Sequence, residues 1–418
     1  MQNLETPPQT SFKHGQEDKS AKQAMIALSI VGVVLISGVM FAAGIVVGKG
    51  TLHFSGNPTF NTTITSLSAK PNYTELDDLY TTIRQNYDGD LSNQQVMDGL
   101  KHGLAASTGD PYTEFMTSKE ADEFNGALQG TISGIGAKLE MDDQKNVVIA
   151  APLAGSPAEA AGLRAKDVII AIDGKAAFGL TTTEAVKKIR GDKGTQVKLT
   201  ILRNKTEQLN FTITRDTIHI PSVVTKDLAN GTVGYIQVSQ FSDDTDELAR
   251  KAAQDFIDKG VKKIVLDLRD NPGGEVTSAV NLTSLWLDKG AVVVQQKRGK
   301  TTVSTDYATG DNILKGIPTV VLINAGSASA SEITALALRD AGAATIIGET
   351  SYGKGVVQQL FPFNDGSSVK ITVAKWYSPK GTNIDKKGII PDKEVKMTEE
   401  NYTNGTDPQL DTAIQQLQ

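Results

Sequence analysis

Thr319-Val320-Val321-Leu322-Ile323-Asn324-Ala325-Gly326-Ser327-Ala328-Ser329-Ala330-Ser331-Glu332 opens on five apolar or β-branched residues and passes through small ones into a helix-forming run. An unbroken apolar strand is what a sheet covered on both faces demands. The crowded small residues mark a tight strand-to-helix turn. They place serine hydroxyls at a helix N-terminus, where backbone N–H groups lack internal partners and favour negative charge. Taken alone, the same cluster also reads as ordinary helix capping. The pattern repeats outward. Val233–Val238 precedes a helix over Asp244–Lys259. Ile264–Leu268, Ala291–Gln295 and Thr345–Ile347 read as buried strands, and Val276–Leu287 and Ala330–Ala341 as helices. Alternating strands and helices over residues 217–395 predict a largely parallel sheet flanked by helices.

Upstream, residues 125–216 change period. Short strands are expected at Thr131–Glu140, Val147–Ala151, Val168–Asp173, Gln196–Leu202 and Leu209–Thr214, with short helices from Ser156-Pro157 and over Thr183–Arg190. Residues 71–124 are helical. Leu76, Leu79, Tyr80, Ile83 and Tyr87 fall on one helix face, and Ser92 with Gln95 forms a capping box. These stripes read as a small helical layer packed on the rest. Residues 396–418 form a polar tail in which Asp407-Pro408 caps a last short helix.

The amino end is of another kind. No charge occurs between Lys22 and Lys49, a span long enough to cross roughly 30 Å of hydrocarbon as a helix. Residues 23–48 are expected to be a transmembrane signal anchor, with a cleaved signal ending near Ala42-Ala43-Gly44 and a buried core helix as the rival readings. Lys13, Lys19 and Lys22 place residues 1–22 on the cytoplasmic side, by a slight excess. Residues 49–70 read as a flexible linker. The body would then lie outside the cell membrane.

Composition narrows the chemistry. Among 418 residues there are 42 basic and 48 acidic side chains, a net charge of −6 that argues against nucleic acid as partner. The absence of cysteine excludes thiol nucleophiles and thiolate metal sites. Four histidines (His14, His53, His102, His219) without an HExxH pair leave little for a zinc hydrolase or a Ser-His-Asp triad. Any nucleophile is Ser, Thr, Lys or a carboxylate. Two further segments bear on it. Asp267-Leu268-Arg269-Asp270-Asn271-Pro272-Gly273-Gly274 ends a buried strand in paired glycines, which suit an oxyanion hole or a plain turn. Tyr352-Gly353-Lys354-Gly355-Val356-Val357-Gln358-Gln359 sets a lysine between glycines at a strand's entrance. That composition also suits a phosphate contact, although no Walker A motif occurs.

With these motifs the chain, over residues 71–418, resembles the carboxy-terminal (tail-specific) processing proteases, serine proteases with an embedded PDZ domain. The likeness rests on Gly109-Asp110-Pro111, Ser133-Gly134-Ile135-Gly136-Ala137, Ser156-Pro157-Ala158-Glu159, Ile189-Arg190-Gly191, Asp267–Gly274, Gly326–Glu332, Gly353–Gln359 and Gly388-Ile389-Ile390-Pro391-Asp392, in that order. It implies a multi-domain α/β fold: a crotonase-like protease core, an inserted β-rich PDZ domain, the helical N-terminal layer and one transmembrane helix. It further implies Ser329 as nucleophile, Lys354 as general base, Gln358 orienting the lysine, and an oxyanion hole from the amides of Ala330 and of Gly273 or Gly274. Tyr112 stands where members often have His, in a segment taken as non-catalytic.

A lysine base must be uncharged at working pH, so its proton affinity has to fall from about 10.4 to roughly 7–8, as burial can arrange. In the PDZ domain, Gly134, Ile135, Gly136 and Ala137 are expected to receive a peptide's terminal carboxylate while a strand edge pairs with the peptide. Asp267 and Arg269 are expected to brace their loop. Arg190 is a candidate link between the loaded module and the active site, or a solvated helix-end charge. No metal or organic cofactor is implied. The expected partners are protein or peptide substrates with free C-termini and the membrane, and self-association is left open. The rival readings are an inactive PDZ scaffold tethering partners at the membrane, and acyl-CoA chemistry.

Overall fold

The structure, a computed structural model, describes residues 72–418. The cytoplasmic tail, transmembrane helix and linker expected over 1–70 lie outside them; among the described residues no helix is long and apolar enough to cross a membrane. Helices α1 (Tyr73–Asn86) and α2 (Asn93–Ala106) come first. The capping box before α2 is made, with Ser92 N–H donating to Gln95 Oε1 (2.9 Å) and Gln95 N–H to Ser92 Oγ (3.2 Å). The expected packing of these stripes needs correction. Leu76, Leu79, Tyr80, Ile83 and Tyr87 are all exposed, no residue of α1 is buried, and in α2 only Ala105 is. The third helical segment does pack. After β1 (Glu114–Met116), α3 (Ser118–Leu128) buries Ala121, Phe124 and Leu128 against Met116.

The β-rich module follows as β2 (Thr131–Gly134), β3 (Ala137–Met141), β4 (Val147–Pro152), α4 (Pro157–Ala160), β5 (Val168–Ile172), β6 (Lys175–Ala176), α5 (Thr182–Ile189), β7 (Gln196–Arg203), β8 (Glu207–Thr214) and β9 (Asp216–His219). The single strand expected over Thr131–Glu140 is broken at Ile135-Gly136. Its first half pairs with β9 and its second with β4, because Ile135 turns its side chain into the module's own core. The main sheet runs β3-β4-β5-β7-β8 with β6 on β5, which leaves one edge of β3 unpaired among the described residues.

The remaining elements are β10 (Val223–Leu228), β11 (Val233–Val238), α6 (Thr245–Asp258), β12 (Lys263–Asp267), α7 (Val276–Ser284), β13 (Val292–Arg298), β14 (Thr301–Tyr307), β15 (Thr319–Ile323), α8 (Ala330–Asp340), β16 (Thr345–Gly348), β17 (Val356–Pro362), β18 (Ser368–Tyr377), β19 (Lys393–Glu394), α9 (Glu399–Asn404) and α10 (Pro408–Leu417). One sheet has the order β10-β11-β12-β15-β16-β19, parallel from β11 onward. All five residues of β15 are buried. Val321 and Ile323 join the core shared with α6, α7 and α8, while Val320 and Leu322 meet Ala413 and Leu417 of α10 on the other face.

Strand β13 does not belong to that sheet, contrary to expectation. It pairs antiparallel with β14 and β18 in a second sheet that also takes in β1 and β17. Its residues explain why: Val292-Val293-Val294 gives way to Gln295-Gln296-Lys297-Arg298, polar enough for the half-solvated sheet that antiparallel pairing tolerates. The two sheets meet where the β15–α8 turn faces the loop leading into β17.

Candidate active site

Ser329 caps α8 directly after the β15 turn, with φ 58° and ψ −112°. This backbone conformation strains any residue with a Cβ and costs on the order of 1–3 kcal/mol. Neighbouring contacts hold it. Ala328 N–H donates to Asn271 O (3.0 Å), Ser331 Oγ to the same oxygen (2.9 Å), and Ser327 Oγ to Leu268 O (2.7 Å). The turn is thereby stitched to the Asp267–Gly274 loop. Gly273 approaches so closely that a Cβ there would stand 2.8 Å from Ser329 Cβ. Its own N–H is already given to Asn271 Oδ1 (2.9 Å). Among the described residues, the N–H groups of Gly274 and Ala330 have no partner, which makes this pair, rather than Gly273, the donors free to receive an oxyanion.

Glu332, three residues beyond the serine, is the residue whose weight the sequence did not reveal. It has no exposed surface, and its carboxylate accepts from Ser329 N–H (2.8 Å), Ser351 Oγ (2.5 Å), Gly353 N–H (2.6 Å) and Lys354 N–H (3.0 Å). Burial pushes this carboxyl's proton affinity up, and the four donors pull it back. One side chain thus ties the serine's backbone to the backbone of the lysine loop. The S-x-x-E capping-box spacing was the available signal.

Lys354 is fully buried. The loop reaches it through Gly353, at φ 90°, where a Cβ would come within 2.7 Å of Gly388 N. Trp376 Nε1 fixes the Lys354 carbonyl at 2.7 Å. Burial is the main cause that lowers the amine to about 7. Lys370 adds to the fall, while Glu332 and Asp110 oppose it. The Lys354 Nζ lies 5.2 Å from the centroid of the Tyr112 ring. The Gly109–Tyr112 segment, taken as non-catalytic, therefore borders the lysine, brought there by the pairing of β1 with β18. Sequence distance concealed it.

Gln358 donates its Nε2 to Thr372 Oγ1 (3.2 Å). Thr372 N–H reaches Thr113 Oγ1 (3.2 Å), which donates to Asp110 Oδ2 (2.7 Å). The Gln358 carbonyl is left over. Among the described residues, four buried side-chain polar atoms have no hydrogen-bond partner: Ser329 Oγ, Lys354 Nζ, Gln358 Oε1 and Asp385 Oδ1. Three belong to the residues singled out from the sequence. No hydrogen bond yet joins the serine hydroxyl to the lysine amine.

The two described histidines are engaged elsewhere, His102 with Glu120 (3.6 Å) and His219 with Asp244 (3.0 Å). Asp267 and Arg269 form a brace. Buried Asp267 accepts from Tyr235 Oη (2.8 Å) and from Arg269, whose guanidinium also holds Asp407 (2.8 and 2.9 Å) and Gln409 (3.0 Å) at the start of α10.

In the module, Gly134 ends β2 and Ala137 begins β3, beside the open β3 edge. The carbonyls of Ile135 and Gly136 are taken by Ala158 and Leu153, and their N–H groups have no partner among the described residues. Arg190 lies against Gly134, at 3.7 Å from where a Cβ would be, and feels Glu123 of α3; no contact joins it to Ser329 or Lys354.

Comparison with known proteins bears on both parts. The family model "Peptidase family S41" matches residues 232–395, and a PDZ domain model matches 148–203. The carboxy-terminal processing protease CtpA of Bacillus subtilis (strain 168) is 35% identical over 370 residues, 88% of this chain and 78% of that one. The "Probable CtpA-like serine protease" of Staphylococcus aureus (strain COL) is 38% identical over 331 residues, 78% of this chain and 65% of that one. A solved Bacteroides fragilis protein described as an S41 protease shares the fold, with a TM-score of 0.54 at 19% identity over 84% of this chain and 98% of that one.

Proposed function

Because this chain belongs to the carboxy-terminal processing proteases of peptidase family S41, serine-type peptidases with a PDZ domain, we propose that it cleaves protein tails with a Ser329–Lys354 dyad. The observation that carries this reading is the set of unpartnered atoms. A hydroxyl, an amine and an amide carbonyl stand dry and unsatisfied in one region, although among the described residues every other buried side-chain polar atom except Asp385 Oδ1 is paired. An amine lowered to about 7 is half uncharged near neutrality and can take the Ser329 proton. Gln358 Oε1 accepts from the amine and aims it. The hydroxyl oxygen attacks the substrate carbonyl, and the oxyanion accepts from Gly274 and Ala330 N–H at the positive end of α8, each donor contributing about 3 kcal/mol. The lysine then returns the proton to the leaving amine, and water resolves the acyl-enzyme. The missing Ser329–Lys354 hydrogen bond forms as substrate closes the site, since such bonds are often long before substrate binds.

Substrate tails are held through the PDZ module, with the terminal carboxylate on the Ile135 and Gly136 N–H groups and the backbone along the free β3 edge. The apolar stretch over 23–48 supports an anchored enzyme whose body faces away from the cytoplasm. The test is mass spectrometry of products from an unfolded reporter protein incubated with wild-type and Ser329→Ala enzyme. Loss of all specific products in a folded variant is expected, and retained products would exclude Ser329.

A further inference from the structure

Among the described residues two lysines have no exposed surface, Lys354 and Lys370, and the mechanism above uses only the first. Lys370 is on β18, opposite Leu360 of β17 and Glu114 of β1. Thr372, two residues on, is the partner of Gln358. Residues i and i+2 of a strand share a face, roughly 6–7 Å apart, so Lys370 lies on the same face of β18 as Thr372. Its Nζ donates to Glu114 Oε2 at 3.0 Å and lies 5.2 Å from the Phe124 ring centroid. Glu114 is half exposed at the rim, which leaves the positive end of the pair inside.

We propose that Lys370 is a positioning residue for the base: its ammonium, fixed by Glu114, repels a proton from Lys354 and keeps that amine uncharged. The proposal rests on the Ser329–Lys354 reading. The groups around the lysine make the need plain. Glu332 from α8 and Asp110 from the segment before β1 favour the ammonium form, and so does the π face of Tyr112. Tyr352 from the preceding loop faces Tyr112, and Asp385 lies against Gly355. Among the described residues Lys370 is the positive charge that joins burial in driving the proton off; burial lowers its own amine as well, and Glu114 and Asp110 act to keep it charged. Burying a second ammonium is costly, and an apolar side chain of like size would fill the space without that cost.

The test is the pH dependence of kcat/KM on an unfolded reporter for the full chain and for Lys370→Met, the paired variant Glu114→Gln/Lys370→Met, and Lys354→Met. Wild type is expected to show an activity limb rising near pH 7. In Lys370→Met that limb moves up on the order of one pH unit while the alkaline plateau is kept, which makes the variant roughly fivefold slower at pH 7. The paired variant removes both ions at once, so it strands no buried charge, and it gives the same shift if the single variant does not fold. A lowered plateau with an unmoved limb overturns the proposal and leaves Lys370 a structural residue. A wild type without the limb, or an active Lys354→Met, overturns the dyad reading and with it the role of Lys370. A wild-type limb with inactive Lys354→Met, unmoved in both Lys370 variants, overturns only the role of Lys370.

Discussion

Helices α1 and α8 differ sharply in what they bury. The stripe of α1 (Leu76, Leu79, Tyr80, Ile83) stays open, with Leu79 55% exposed, whereas Ala330 through Leu338 of α8 are all buried, Ser331, Glu332 and Thr334 included. Periodicity identifies which face of a helix is apolar. It does not say whether this chain covers that face. What decides for α8 is attachment: a turn of six residues, Asn324–Ser329, lays it back on the sheet that its own strand β15 has just built. Helix α1 has no such strand before it among the described residues. The contrast also fixes what a polar atom means in each place. On α1 water satisfies it. On α8 an unpaired hydroxyl bears its full desolvation cost, which is why Ser329 Oγ carries information.

The largest effect expected from sharpening this contrast is at Glu332. Replacing it by Ala strands four donors inside the protein and should cost about 3–5 kcal/mol of stability, with activity falling at least about a hundredfold as the lysine loop parts from the serine turn. Chemical denaturation and reporter cleavage at low temperature read the two losses separately. A nearly neutral variant would mean that the carboxylate does not join the two segments.

Lys354 gives a smaller effect, opposite in sign. Its amine is lowered from the ordinary 10.5 to about 7. The unfolded chain therefore binds more protons than the folded one between those values, and stability rises with pH across that window. The cost is present in full below about pH 7 and fades toward pH 10.5. Lys354→Met should therefore be inactive yet more stable than wild type near neutrality, by up to about 4 kcal/mol, with the gain shrinking as pH is raised. Denaturant midpoints at pH 7 and pH 9.5 measure it. A gain that is absent, or that grows with pH, would count against a buried amine of lowered proton affinity.

The smallest effect belongs to α1. Leu79→Ser should change stability by less than about 0.5 kcal/mol in denaturation of the protein at low concentration. A loss of 2 kcal/mol or more would show that some further surface covers the stripe in solution.

Much of this was legible in the sequence, for reasons visible in particular residues. The strands and helices around β15 announced themselves because a buried parallel strand needs an unbroken apolar run, and Ser329, Lys354 and Gln358 lay in short motifs of ordered spacing. Three things, besides the weight of Glu332, were not legible. Strand β13 went to the wrong sheet because Val292–Val294 resembles a buried strand until its polar second half is weighed. The exposure of α1 is a statement about what is missing opposite it, which no periodicity encodes. Tyr112 and Lys370 enter the site through the pairing of β1 with β18, which joins residues more than 250 positions apart.

The central claim is that an uncharged Lys354 activates Ser329. The most direct measurement is the rate at which a fluorophosphonate labels Ser329 as a function of pH, in wild type and in Lys354→Met. The account predicts a labelling rate that climbs through a midpoint close to pH 7 and vanishes in the variant. A midpoint in the ordinary lysine range above pH 9, or undiminished labelling without the lysine, would contradict it.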